Sequence, residues 1–284
     1  MFKKENKSIV DLAKDFEEKN ERNEVDQLKP PSPADSSVPE TTHIADQVNS
    51  LLENIQGIHN YVDFNLPSLG KAYPNYGKET IGIRPLKFSD EKKIQSLAAG
   101  DRALDGLNEI LKDCLEGPDY SELTLPDKLF ALFKLRQLSY GSEYPLEAEC
   151  EKCSHKNSIK FQLSSMPVNY LEDSMSDMTQ IYLPDSKKTA IVKVIRVRDE
   201  EGISQLTDII NSLPRYVVSV EGITDQNVIS LFLEGTTVRD VGLVRTAIFS
   251  PPYGIVQDSV FKCDACGAEN QANVSINANF FSPS

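Results

Sequence analysis

The chain has 284 residues, and its content of 39% hydrophobic and 26% charged residues is that of an ordinary globular protein. Its net charge of -13 removes the usual electrostatic drive toward phosphate backbones, so nucleic acid is not expected as a partner. No stretch approaches the roughly 20 apolar residues of a membrane span, and the N-terminal segment lacks the apolar core of a secretory signal, so we expect folding in a cytosol-like compartment.

Residues 1–41 are predicted to form a disordered arm and a proline-rich linker. The run EEKNERNEVDQ has almost no apolar residue, and it is followed by KPPSPADSSVPETT, which contains four prolines. Such a composition cannot bury enough apolar surface to offset the entropy lost on ordering. The arm is therefore expected to act as a flexible tether.

An amphipathic helix is predicted over residues 42–60. Its apolar residues step by 4, 3, 4 and 3 positions, which is the spacing of a coiled-coil seam about two heptads long. The seam consists of Ile44, Val48, Leu51, Ile55 and Ile58. Two interpretations stay open: the helix packs on its own domain, or it docks on a partner protein from the end of its tether.

A mainly helical block is predicted over residues 61–143. It opens with a loop and a β-hairpin, because Pro, Gly and Asn punctuate the segment and Ile81 and Ile83 mark a short alternating stretch that can extend to Leu86. Ser89 is predicted to cap the next helix, whose first turn is acidic, as the helix dipole prefers.

Two further helices are predicted at about 102–116 and 126–140. Pro126 suits the first turn of the second helix. The first helix carries the fifth cysteine, Cys114, on its apolar face, where we expect a buried thiol of the core.

The pattern becomes mainly β after residue 143, and residues 144–284 are predicted to form a zinc-knuckle β unit with an inserted α/β segment. The insertion is predicted to contain two strands within 179–198, a helix at 199–213 and two short helices within 225–249. Its segment RYVVSVEGI stays open between a strand and a buried helix. The predicted fold class is α+β, a helical block joined to two β-hairpins that a metal ion staples.

Four of the five cysteines form two Cys-x-x-Cys pairs, CEKC and CDAC. A strand-like segment precedes each pair, and a polar turn, SHKN or GAEN, leads into an alternating strand after it. Two thiolates on one tight turn point at a single ion, and two such turns complete a tetrahedral site. The predicted ligands of a structural Zn²⁺ are Cys150, Cys153, Cys263 and Cys266. The ion would hold the insertion at its neck.

Other interpretations of the cysteine pairs remain, because the 109 residues between Cys153 and Cys263 far exceed the usual ribbon spacing of about 15–20. Redox dithiols would need a thioredoxin-like βαβ context, which the sequence lacks. Disulfides do not suit a cytosol-like compartment, and metal-free knuckles stay open. His155 is an alternative ligand, but with four thiols present we interpret it as a turn residue.

No catalytic framework is visible. The chain has only three histidines, and it contains no GxSxG, no HExxH and no glycine-rich phosphate loop. A site of four thiolates leaves no open position for a catalytic water. We therefore expect a protein that is not an enzyme and assign no catalytic residue. A rival hypothesis is a zinc-ribbon adaptor or regulator that binds transcription or nucleic-acid machinery.

Three segments together carry a family resemblance. In order they are FNLPSLGKAYPNYGKETIGIRPLKFSDEKKI, a helix ending in CL at 114–115, and LPDKLFALFKLRQLSYGSEYPLEAECEKC. Over about residues 61–260 the chain resembles the baseplate hub or hub-assembly family of T-even-like contractile-tailed bacteriophages. The resemblance implies a structural or assembly role, exerted by binding other phage tail or hub proteins. It also implies a location in the virion tail baseplate, or in the host cytoplasm during assembly.

Overall fold

The structure is a computed structural model. It describes residues 47, 50–51, 60–98, 103–172, 177–200, 210–274, 276 and 280–281. The predicted 1–41 arm, most of the 42–60 helix and most of the 199–213 helix lie outside these residues. In an N-terminal unit of residues 1–54, the described positions 47, 50 and 51 are helical, and the Leu51 side chain is 69% exposed. The rest of the chain forms a second unit, to which all other described elements belong.

The second unit begins with a three-stranded antiparallel sheet, β1 (Val62–Asn65), β2 (Thr80–Ile83) and β3 (Leu115–Glu116), with β2 in the centre. The hairpin predicted from Ile81 and Ile83 is confirmed, and both side chains are buried. A long loop joins β1 to β2. In this loop Gly70 has a φ of 71°, and a Cβ there would lie 2.1 Å from the carbonyl oxygen of Lys78, so only glycine fits.

The helices follow as α1 (Phe88–Ala98), α2 (Ala103–Cys114) and α3 (Leu125–Tyr140). The predicted cap at Ser89 is wrong, since α1 already begins at Phe88. The carboxylate of Asp90 accepts the backbone N–H of Lys87 at 2.9 Å and pairs with Arg84 at 2.8 Å, so an acidic side chain of the first turn satisfies the helix start. The predicted helix at 126–140 is confirmed with Pro126 in its first turn.

The first cysteine pair joins β4 (Glu143–Glu149) to β5 (Lys156–Gln162), which pair antiparallel over seven residues each. The short strand β6 (Val168–Asn169) follows. The insertion then begins, with a sheet of β7 (Met178–Leu183), β8 (Lys188–Lys193) and β9 (Val217–Val220) in that order. The ambiguous segment RYVVSVEGI therefore contains a strand, Val217–Val220, whose backbone pairs with β8.

Two short helices complete the insertion, as predicted: α4 (Gln226–Glu234) and α5 (Val238–Phe249). Asp225 and Thr237 cap them by accepting backbone N–H groups of the first turns. Both helices pack on the β7–β9 sheet around a core of their own. The core includes Leu183, Val192, Val217, Ile229, Val244 and Ile248.

The chain leaves the insertion through β10 (Gly254–Ile255), which pairs antiparallel with β6. The second cysteine pair then joins β11 (Asp258–Lys262) to β12 (Glu269–Asn273). Because β6 precedes the insertion and β10 follows it, a backbone ladder closes the neck. The predicted metal site would therefore act beside this ladder at the neck of the insertion.

A larger core lies between the helices and both cysteine hairpins, and it takes residues from both sides of residue 143. Its members include Ile83, Leu111, Leu135, Phe161, Phe261 and Phe280, each at most 9% exposed. Helices and antiparallel sheets occur together, so the α+β class is confirmed. Within the described ranges, no helix has the length and apolarity to span a bilayer.

Candidate metal centre

Two hairpin turns of the same conformation carry the four paired cysteines. In the first, the backbone N–H of Cys150 donates to the carbonyl of His155 at 2.9 Å, and the N–H of Ser154 donates to the backbone carbonyl of Cys150 at 2.8 Å. The turn at Cys263 repeats both bonds. Ser154 and Gly267, which end the two turns, have left-handed φ values of 56° and 68°. The chain therefore builds one knuckle twice.

The four sulfur atoms all lie within 4.8 Å of one another. The Sγ atoms of Cys150 and Cys266 are 3.7 Å apart, and so are those of Cys153 and Cys263. Sulfurs about 2.3 Å from one tetrahedral Zn²⁺ are separated by about 3.8 Å, whereas a disulfide brings two sulfurs to about 2.0 Å. The spacing fits four ligands of one ion, and the structure brings all four predicted ligands together.

One thiol of each pair faces the core and the other faces solvent. The two buried thiols, here called the inner cysteines, are Cys150 and Cys263, which are 1% and 3% exposed. The two exposed thiols, the outer cysteines, are Cys153 and Cys266. An ion bound here would be shielded by the hairpins on one side and reachable from solvent on the other.

Backbone N–H groups of the turns stabilise negative charge on the inner sulfurs. Burial favours the neutral thiol of Cys150, but N–H donors of its own turn, first that of Cys153, lower its pKa to about 6. The pKa of Cys263 is also lowered, since N–H donors of its turn again outweigh burial. At Cys153 the N–H of His155 lowers the pKa, but hydrogen bonds with Cys266 and the other thiols raise it to about 12. Four close thiols cannot all ionise without a cation, so the cluster favours one.

Two asparagines of the site were not singled out by sequence analysis. Asn157 accepts the N–H of Asp264 at 2.9 Å, and Asn270 accepts the N–H of Glu151 at 3.0 Å, so each asparagine binds the opposite turn. The only sequence signal is their equal offset of seven residues from the first cysteine of each pair.

Comparison with known proteins decides the family. A family profile described as T4 bacteriophage base plate protein matches residues 59–282. The chain belongs to this baseplate family. The match extends beyond the 61–260 of the resemblance, so both cysteine pairs of this baseplate protein lie inside it. Family membership supports a structural role in a phage tail. No curated protein and no solved structure matches the chain.

The remaining histidine and cysteine considered in the sequence analysis, His155 and Cys114, are not members of the cysteine cluster. His155 contributes its backbone carbonyl to the turn and is exposed, and among the described residues the metal-binding cluster consists of the four cysteines. Cys114 is a core thiol, as predicted: it is 0% exposed, and burial raises its pKa to about 12.

The thiols of the metal-free baseplate protein should differ in reactivity. In the native fold, iodoacetamide should modify the exposed Cys153 and Cys266 well before Cys114, because the reagent reaches their sulfur atoms from solvent, whereas the Cys114 thiol is enclosed by the core. Peptide mass mapping after a short pulse measures the order. Modification of Cys114 as fast as that of Cys153 would contradict its place in the core.

Proposed function

We propose that this protein is a structural or assembly component of the baseplate hub of a contractile phage tail. It acts by binding other tail or hub proteins, in the virion baseplate or in the host cytoplasm during assembly. The family match over residues 59–282 carries the proposal. The net charge of -13 agrees with protein partners rather than nucleic acid.

The proposed function includes a structural Zn²⁺ in the candidate metal centre. Support comes from sulfur separations of 3.7 Å and from the N–H donors directed at the inner thiols. Tetrahedral all-sulfur sites take Zn²⁺ or iron, and four thiolates leave no open position for chemistry. The ion would fix two hairpins that pack in the same core and would give the protein a rigid surface for assembly.

The tethered helix of residues 42–60 is the proposed docking element. Its seam residues Ile44, Val48, Ile55 and Ile58 lie outside the described side chains. Leu51 is described, and 69% of it is exposed, as a docking seam requires. An isolated helix of this length is marginal in water, so it gains stability from whatever covers the seam.

Replacing both Leu51 and Ile55 by Asp tests this docking role. The variant is expected to stay folded and keep its metal, yet to lose co-purification with the hub proteins and fail to complement a phage that lacks the gene, because two charges would enter the apolar seam. Asn49→Asp with Gln56→Asp is the matched control, since it adds the same charge on the opposite side of the predicted helix.

Two results would contradict docking by this helix. Unfolding of the L51D/I55D protein in circular dichroism would show that the seam packs on its own domain. Normal hub binding and phage assembly by a folded variant would show that the helix has no docking role. If the wild-type protein itself bound no hub protein, the hub assignment would be wrong.

A further inference from the structure

The two asparagines that cross the candidate metal centre are among its most buried polar groups. Asn157 is 2% exposed and Asn270 is 7% exposed. Each side chain extends from the strand that follows its own turn and reaches the other turn. A buried amide is costly unless its donors and its acceptor are satisfied. The arrangement is therefore stable only while the two turns are in contact.

Each asparagine bonds both turns in the same way, apart from one further bond of Asn157, whose Nδ2 also donates to the carbonyl of Ala148 at 3.3 Å. The Nδ2 of Asn157 donates to the carbonyl of His155 in its own turn at 3.0 Å, and that of Asn270 donates to the corresponding carbonyl of Ala268 at 2.8 Å. Their Oδ1 atoms accept N–H groups across the site. Each knuckle thus donates one backbone N–H to the asparagine of the other knuckle, and the two halves of the site are related by an approximate twofold symmetry of these bonds.

The accepted N–H groups lie beside the inner cysteines. Glu151 follows Cys150 in the chain, and Asp264 follows Cys263. Bonds at these points fix the start of each turn, and with it the direction in which the inner sulfur points.

We propose that Asn157 and Asn270 are positioning residues of the metal centre: they hold the two turns at the separation of one tetrahedral ion before the ion binds, and so set the affinity for Zn²⁺. The proposal rests on the proposed Zn²⁺ site. Its physical basis is preorganisation. Four thiolates repel one another, and groups that hold the ligands in place reduce the cost of assembling them around the ion.

The test is a zinc competition titration against a chromophoric chelator, on the full-length wild type and on Asn157→Ala, Asn270→Ala and the double variant. Loss of an outer-shell partner weakens metal binding about 10- to 100-fold, and we expect each single variant to lose about tenfold and the double variant more. Asn273→Ala is the control, since Asn273 lies on β12, is exposed and bonds only the carboxylate of Asp258 in the described contacts. It should bind zinc as the wild type does.

Two further readouts separate positioning from a general loss of stability. In the Co²⁺-loaded variants the ligand-field bands should shift, because displaced sulfurs change the tetrahedral field, whereas a purely structural role would leave them unchanged. In the metal-free wild type the N–H groups of Glu151 and Asp264 should exchange slowly with solvent, because the asparagines already bind them. This measurement needs no variant to fold.

The outcomes distinguish this proposal from the zinc site itself. A wild-type protein that binds no zinc overturns both. A zinc-binding wild type with asparagine variants of unchanged affinity and unchanged Co²⁺ spectrum overturns the positioning role alone. Rapid exchange of both N–H groups in the metal-free wild type also overturns it, since the turns would then come together only around the ion.

Discussion

Replacing either Cys150 or Cys263 by serine is expected to remove the bound zinc and to destabilise the same part of the molecule. A serine hydroxyl stays protonated at neutral pH and cannot replace a thiolate ligand. In zinc-finger peptides a structural Zn²⁺ contributes roughly 10–16 kcal/mol of apparent folding free energy, so even a fraction of that value is large beside the stability of a typical domain. Both cysteines are buried ligands, and they belong to different hairpins. Because one ion would bind both, the two serine variants should lose similar amounts of zinc and of stability.

Elemental analysis and thermal unfolding check this expectation. After reducing, chelator-free purification the wild type should contain about one zinc per chain, since four thiolates complete one tetrahedral site. Each serine variant should contain almost none, and its unfolding midpoint should fall. Cys114→Ser is the matched control, because that thiol is buried in the core away from the cluster, and its zinc content should equal that of the wild type.

A zinc-free wild type would refute the metal site. Loss of metal from Cys150→Ser but not from Cys263→Ser would refute the idea that the two hairpins share one ion.

Truncation of Phe280 to alanine is expected to lower the free energy of unfolding by about 3–5 kcal/mol, as for other fully buried phenylalanines. The ring is 0% exposed, and its centroid lies 5.0 Å from that of Phe133 and 5.4 Å from that of Tyr144. It therefore fills the space between α3 and the first cysteine hairpin. Alanine would leave a cavity among aromatic side chains that are fixed by the rest of the core.

A buried arginine adds to the expected loss. The Nε of Arg136 donates to the backbone carbonyl of Phe280 at 2.8 Å, and its guanidinium lies 4.7 Å from the ring centroid of Tyr140. A shift of the Phe280 backbone after the substitution would weaken this hydrogen bond, whose donor is on a fully buried side chain.

Denaturant unfolding measures the effect, with Phe88→Ala as the control. Phe88 is 70% exposed, so its truncation should change the free energy by no more than about 0.5 kcal/mol. Equal losses from the two substitutions would show that the Phe280 side chain does not belong to the core in solution.

Local patterns predicted the local structure well. The helix at 126–140, its first-turn proline and both cysteine hairpins follow from spacing and turn chemistry that span a few residues. The long-range packing did not follow from such patterns. Arg136 and Phe280 are 144 residues apart, and nothing in the periodicity near either residue indicates the other.

In the candidate site, too, the local features could be predicted from the sequence and the long-range contacts could not. Paired cysteines are a strong chemical signal, because two thiols at that spacing suit few roles besides metal binding and redox exchange. Asn157 and Asn270 gave no such signal, since asparagine is common in turns for its own local reasons. Their role depends on contacts between turns more than 100 residues apart, which only the fold brings together. The docking seam of the 42–60 helix stays a prediction.

The distance between the two cysteine pairs also has a consequence during protein synthesis. A ribosome adds about 5–20 residues per second, so the 109 residues between Cys153 and Cys263 take roughly 5–20 s to make. For that time the first hairpin leaves the ribosome with two thiols and no second knuckle. A metal ion bound by these two thiolates alone would need two further ligands, from water or from another chain.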